Sequence, residues 1–396
     1  MDNKNRKDLA HIGDICDDLF IWCKHRRFIG YNKHDGLNSP ILNALFGWGV
    51  WPRMVAIQGV MRFPINLRPL LLVKKTHNPK GLGLLVLGLL DCYRATSVKY
   101  YLSEAEKILE FLVKNRSKGN WSGACWGYQY PWQDPAFFAP AACPNAVVTS
   151  FVCEAFLDAF RVTKNEKYLD VVSSSIRFLL NDLPVLKESS DELCFGYMPL
   201  LMDMRVMDVS VLIAAVIAQY ASISGNSDDL SSSERMINYV VRRQTKQGAW
   251  YYTDPPERSH IRHDNYHTGF ILDAIKRYMD ATECYIYREN YEKGLSFYAN
   301  RLFNSNGSPR WMSDRDYPHD IHGAAQGILT FSHNHKMFPG LAEHIANWSL
   351  ETMYNSKGRF YYQENRFTKK RFTLMRWCNA WMFRALASLY RYHSIK

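Results

Sequence analysis

Residues 263–278 read HDNYHTGFILDAIKRY. Phe270, Ile271, Ala274, Ile275 and Tyr278 follow the three-and-four spacing of one helix face, and Asp264 stands where a helix N-cap belongs. Residues 317–326, YPHDIHGAAQ, repeat the arrangement with Asp320 and His322 at the start of another apolar helix. Working outward from this pair, similar patterns begin near Lys80, Asn145, Arg205, Asn265, His319 and Thr373, at intervals of 54 to 65 residues. A second set, more charged on one face, begins near Ser103, Glu166, Ser231, Arg288 and Gly340.

Each unit is therefore a helix hairpin, and the chain repeats it. Most units end in a loop where Gly precedes aromatics: KGNWSGACWGYQYPW (118–132), CFGYMPL (194–200), QGAWYY (247–252), NGSPRWMSDRDYP (306–318) and SKGRFYY (356–362). Gly permits a sharp reversal there and the aromatic folds back across the helix ends. Six helices of the first kind and five of the second leave one outer partner missing. A helix over about 6–27 is expected to supply it, closing the ring against the C-terminal helix 373–390. The expectation is an all-α (α/α)6 toroid, a barrel of helix hairpins forming one domain over 1–396, with 28–79 partly irregular near the cleft.

The 396 residues are 47% hydrophobic and 14% aromatic, enough for a large core. A net charge of +11 calls for a polyanionic partner. The cations are scattered in short clusters such as Lys24-His25-Arg26-Arg27 and Lys369-Lys370-Arg371, and no nucleic-acid motif occurs, so no nucleic acid is expected. Nine Cys without a CxxC pair read as reduced thiols of a cytoplasmic protein. The stretch MDNKNRKDLAHIGDICDDLF has no signal-peptide core, and the apolar run at 81–90 is about half a membrane span. No integral membrane segment is expected; peripheral membrane contact and oligomeric state stay open. HEXXH, paired-Cys and EF-hand patterns are missing, as are a P-loop and a GxGxxG motif, so neither a metal nor a cofactor is expected.

The hairpin period, the Gly-aromatic loops and the segments GYNKHDGLNSP (30–40), HDNYHTGF and DYPHDIHGAAQ resemble a group of bacterial proteins encoded among surface-polysaccharide biosynthesis genes. More distantly, the chain resembles the six-hairpin carbohydrate-active superfamily. That group includes glycosidases, polysaccharide lyases, the helical domain of glucuronyl C5-epimerases and the acylglucosamine 2-epimerases. QTKQGAW (244–250) also fits the QxxxGxW motif of triterpene cyclases, but the DxDD acid motif of those enzymes is missing.

In such a ring the inner helix starts converge on a central cleft. A His beside an Asp has its tautomer set by the carboxylate and titrates near neutrality, as a general acid/base requires. His267 and His322 are thus candidate acid/base groups, with Asp264 and Asp320 as their orienters. Proton abstraction next to a carboxylate builds enolate charge, for which Arg376 is the leading clamp, ahead of Arg262 and Arg371. Trp126, Tyr128, Trp132, Tyr266, Trp311, Tyr361 and Trp377 are candidate sugar-stacking rings, with Tyr251 and Tyr252 in corresponding loops, and Gln326, His34 and Asp35 candidate polar contacts. The implied function is modification of an acidic oligo- or polysaccharide, or its precursor, by proton transfer at a sugar carbon, of the C5-epimerase or lyase type. Two alternatives stand: an inverting glycoside hydrolase using Asp264 and Asp320, and a non-catalytic glycan-binding protein of a biosynthetic complex.

Overall fold

A computed structural model describes residues 3–135 and 137–394; residues 1, 2, 136, 395 and 396 of the expected domain lie outside the described residues. The helices in chain order are α1 (Asn3–His25), α2 (Pro40–Phe46), α3 (Val50–Arg62), α4 (Pro79–Thr96), α5 (Lys99–Lys114), α6 (Ala146–Thr163), α7 (Glu166–Asn181), α8 (Met207–Ser224), α9 (Leu230–Val241), α10 (Asn265–Thr282), α11 (Arg288–Arg301), α12 (Ile321–His333), α13 (Leu341–Met353) and α14 (Trp381–Ser394). A π-helical turn, Met375–Ala380, leads into α14.

Helices α4, α6, α8, α10, α12 and α14 pack in sequence order, and α14 returns to α4. This closed inner ring is sheathed by α5, α7, α9, α11 and α13, while α1 packs against α14 as the sixth outer helix. The fold is the (α/α)6 toroid, including the closure by the N-terminal helix. The ring helix α8 has a mean hydropathy of 1.6, and 78% of it is buried inside the protein.

Ring closure rests on one carboxylate. Asp91 on α4 is buried where the first and last inner helices meet. It accepts from Arg384 and, at 3.0 Å, from Arg391 of α14, and from Arg94 at 3.4 Å. Burial alone would raise its pKa, but these guanidiniums hold it below the usual carboxylate range. Close approach is also required here: a Cβ at Gly88 would stand 2.6 Å from the Phe383 ring.

Two local devices recur around the ring. Four inner helices end on a left-handed residue, at Ser97, Lys164, Gly225 and Glu283. Only one of the four is Gly. Ahead of each, a hydroxyl (Thr96, Thr163, Ser224, Thr282) donates to the carbonyl four residues back and accepts from the amide two residues on. The hydroxyl supplies the hydrogen bonding that offsets the strain of a non-Gly turn.

The second device is an indole plug. Trp126 Nε1 donates to Leu112 O at the end of α5, and Trp250 Nε1 to Val240 O at the end of α9, both at 2.9 Å. Trp126 is fully buried against Phe156. Its expected role as a sugar platform is therefore corrected: it fills the space between repeats.

Short antiparallel ribbons decorate the rim that carries the inner helix N-termini. Arg205–Val206 pairs with Thr253–Asp254 just before α8, and His319–Asp320 pairs with Gln363–Glu364 just before α12. Segment 28–79 is tied at its base by a two-way backbone pair between Gly30 and Thr76, 3.1 Å each way. Inside it, Asp35 binds Arg68 at 2.7 Å, with both groups buried, and takes the Asn32 amide at 2.7 Å. Both Asp35 oxygens are committed to this staple, which corrects its expected role in substrate binding.

Asp91→Ala leaves the buried Arg384 uncompensated and is expected to cost roughly 3 to 5 kcal/mol in urea unfolding. The depressed folded pKa means the Asp91 contribution is complete above the unfolded value of about 4 and is lost as pH falls through the lower folded value. The wild type should therefore lose stability with acid more steeply than Asp91→Ala; parallel acid profiles would contradict the assignment.

Candidate active site

The inner helix starts bring their first-turn side chains to one mouth. Asp264 has the extended backbone of an N-cap, φ −89° and ψ 163°, yet its side chain bonds no amide of the first turn of α10. Its Oδ2 instead meets His267 Nδ1 at 2.8 Å. A carboxylate on Nδ1 fixes the proton there and leaves Nε2 as the open base. The His267 side chain keeps 17% exposure, with its ring 4.6 Å from Tyr252 and 4.4 Å from Tyr266.

The second pair is built differently. Asp320 caps α12 through the His322 amide at 3.0 Å and accepts from Gln363 Nε2 and Trp377 Nε1, each at 2.7 Å. It does not bond the His322 imidazole, so its expected role as orienter is corrected. Burial raises its pKa, against the pull of Lys33 and these donors. The His322 ring stacks on Tyr266 at 4.6 Å and 10°, with Trp377 and Trp381 at 4.4 and 4.5 Å. Neither ring nitrogen has a hydrogen-bond partner among the described residues. Burial, then the charges of Lys80, Arg376 and Lys33, push its pKa well below the usual value, so His322 is neutral at pH 7. Both His rings touch the same phenol, that of Tyr266.

Three buried cations back this cluster. Arg376, from the π turn, lies 5.3 Å from the Tyr128 ring and 5.0 Å from Trp377, and its Nε has no partner among the described residues. Turns of this kind recur at functional sites. Lys33, from segment 28–79, sets its Nζ 3.8 Å from Trp377 and 5.2 Å from Trp311. Burial pushes its pKa down to about 8, although Asp320 and Asp264 pull the other way. Lys80 points its Nζ at Phe151 and Phe270, 3.8 and 4.3 Å away, and burial followed by Arg376 pushes its pKa well below the usual value. Asp208 on α8 is buried, its Oδ1 has no partner among the described residues, and burial raises its pKa.

Lys33, Lys80 and Asp208 were missed by sequence reasoning, whereas Tyr252, named only as a loop aromatic, lies against His267. A signal existed for two of them: Lys80, Asp208 and His322 are each the second residue of their helix. Lys33 had none, because it arrives from outside the repeat.

The other expected residues divide. Tyr128 stacks on Tyr130 at 5.5 Å, and half-buried Trp132 meets Tyr197 at 6.1 Å and His34 at 6.0 Å, forming an aromatic wall beside Arg376. Gln326 lies deeper, held by Asp273 at 2.7 Å and Thr330 at 3.0 Å in the ring interior, which corrects its expected place at the mouth. Tyr361 sits in the turn after α13 with its amide on Met353 O, and among the described residues no ring or polar contact joins its side chain to the cluster. Arg262 is exposed and paired with Asp314 at 3.1 Å, and Arg371 is exposed. Among the described residues no group of three His, Cys, Asp or Glu is arranged to hold a metal ion.

No family model matches the chain, and no curated protein matches it at the sequence level. Solved structures do share its fold. A family 76 α-mannanase from Bacteroides thetaiotaomicron is similar at a TM-score of 0.61 and 12% identity, over 80% of this chain and 86% of that one. A cellobiose 2-epimerase from Bacillus thermoamylovorans gives 0.61 and 12%, over 78% and 87%. A polysaccharide lyase gives 0.59 and 12%, over 97% and 98%. The toroid is thus one that carbohydrate-active enzymes use.

Proposed function

We propose that this protein is a cytoplasmic glycan-modifying enzyme that takes a uronate-containing surface polysaccharide, or its precursor, and moves a proton at one sugar carbon. The observation that carries this reading is the His267–Asp264 dyad at the exposed edge of an aromatic cleft backed by three buried cations. The excess of cations suits an anionic sugar. The nine unpaired cysteines suit a reducing compartment. The shared fold with an epimerase and a lyase agrees with the reaction class.

In this reading Arg376 and Lys33 receive the sugar carboxylate, and the proton on the adjacent carbon becomes acidic as their charge stabilises the enolate. His267 Nε2 takes that proton. A donor on the other side returns one to give the epimer; expulsion of the 4-substituent instead gives the unsaturated product of a lyase. Tyr266 and His322, stacked on each other, stand next in line from His267. The rings of Tyr252, Trp311 and Trp377 offer faces for the sugar.

A second reading, an inverting glycoside hydrolase, draws on the raised pKa of Asp208, to which burial and then the nearby Asp264 charge contribute and which suits a general acid. Asp320 suits that chemistry less, because three donors already occupy its carboxylate.

In heavy water with acidic polysaccharides the protein should place deuterium at C5, and an ultraviolet-absorbing product would identify the lyase form. His267→Ala should lower turnover by about 10²- to 10⁴-fold with little loss of glycan binding. New reducing ends, retained in His267→Ala and in His322→Ala and lost in Asp208→Asn, would sink proton transfer in favour of hydrolysis. Glycan binding without turnover of any kind would leave a binding protein.

Lys33 is cationic below about pH 8 and neutral above it. As a carboxylate partner it should make KM for an acidic glycan rise as pH passes about 8, and Lys33→Met should flatten that rise. A rate that increases above pH 8 and is lost in Lys33→Met would instead make the neutral amine a base.

A further inference from the structure

Segment 28–79 has two apolar faces. One is a small core of its own, where Ala56, Ile57 and Val60 of α3 pack on Leu37 and Leu42. The other is turned outward. Half of the large apolar side chains exposed among the described residues fall within 41–72. Trp48 is 78% exposed, Trp51 74% and Leu70 77%, with Leu45, Val55 and Ile65 beside them in the chain. A helix on a water-facing surface normally puts polar residues there, and a patch of this kind marks an interaction site.

The charge of the segment narrows the partner. No Asp or Glu occurs between Asp35 and Asp91, whereas Arg62, Lys74 and Lys75 are exposed within that stretch. Beside it, a cavity of about 480 Å³ is lined by Asn66 and Lys75 of the segment together with Arg26, Arg359, Trp22 and Tyr31. Three cations and no carboxylate line that cavity. Exposed Trp and Leu flanked by Lys and Arg, free of acidic residues, match the interface of an anionic bilayer, where indoles sit at headgroup depth and cations meet phosphate. A protein partner of ordinary composition would not call for the complete exclusion of acidic side chains.

We propose that the outer face of residues 41–75 docks this protein on an anionic lipid bilayer, with Trp48 and Trp51 entering the interface and Lys74 and Lys75 meeting lipid phosphate. The inner side of the same segment supplies Lys33, so docking would hold the cleft against a membrane surface. The inference goes beyond the catalytic reading and does not depend on its chemistry.

The test is co-sedimentation of the full chain with vesicles of phosphatidylcholine alone or mixed with phosphatidylglycerol, with Trp fluorescence as a second readout. Binding to the phosphatidylglycerol vesicles, a blue shift of the emission, and weakening by salt are expected. Trp48→Ser with Trp51→Ser should reduce binding by about tenfold or more, and Lys74→Glu with Lys75→Glu should remove the preference for the anionic lipid. All four positions are exposed, and unchanged circular dichroism checks that the variants fold. No sedimentation with either vesicle, or equal sedimentation of the wild type and the double Trp variant, would overturn the proposal. So would self-association of the wild type that the double Trp variant abolishes, because the face would then join two copies of the chain.

Discussion

The mouth of the toroid exists only because the ring closes, and closure converges on the Asp91 carboxylate between α4 and α14. A single acid there neutralises guanidiniums from both ends of the repeat, nearly three hundred residues apart in sequence. Such a group stabilises only while complete, since the buried Arg384 is costly to leave unpaired. The closure also sets the site, because the π turn that presents Arg376 and Trp377 lies directly ahead of α14, and Gly81 of α4 approaches Arg376 so closely that a Cβ would stand 3.1 Å from it.

At the mouth the molecule departs from the rules that its walls obey. Lys33, Lys80 and Arg376 are buried with few hydrogen bonds, His322 with none on its ring, and Asp208 with one oxygen free. Each departure costs stability. Their concentration at the N-terminal ends of the inner helices is the pattern of a site kept ready for a polar ligand. Segment 28–79 belongs to the same design: the Asp35–Arg68 staple holds the turn that carries Lys33 inward, while Leu45 of α2 and Trp51 and Val55 of α3 face out.

The repeat was legible because helix periodicity is local. The inner starts read near Lys80, Asn145, Asn265 and His319 lie within about two residues of the observed ones, and the sixth outer helix follows from counting. The left-handed turns between inner and outer helices were not legible as a motif, since Ser97, Lys164 and Glu283 stand where Gly would have announced a reversal. The Gly-aromatic loops were visible but did not separate roles: Trp126 and Trp132 read alike, yet one plugs the repeat and the other lines the wall.

By itself, then, the sequence determined an all-α ring of helix hairpins, the pairing of Asp with His at two helix starts, and a surplus of positive charge. Only the tertiary structure decided that Asp264 grips its histidine while Asp320 binds the backbone amide and two side chains from elsewhere, and that three of the cations are buried at the mouth. The reason is one of range. Spacing along the chain specifies which residues share a helix face or a cap, whereas burial, pKa and hydrogen-bond partner are set by groups that meet across the ring, far apart in sequence.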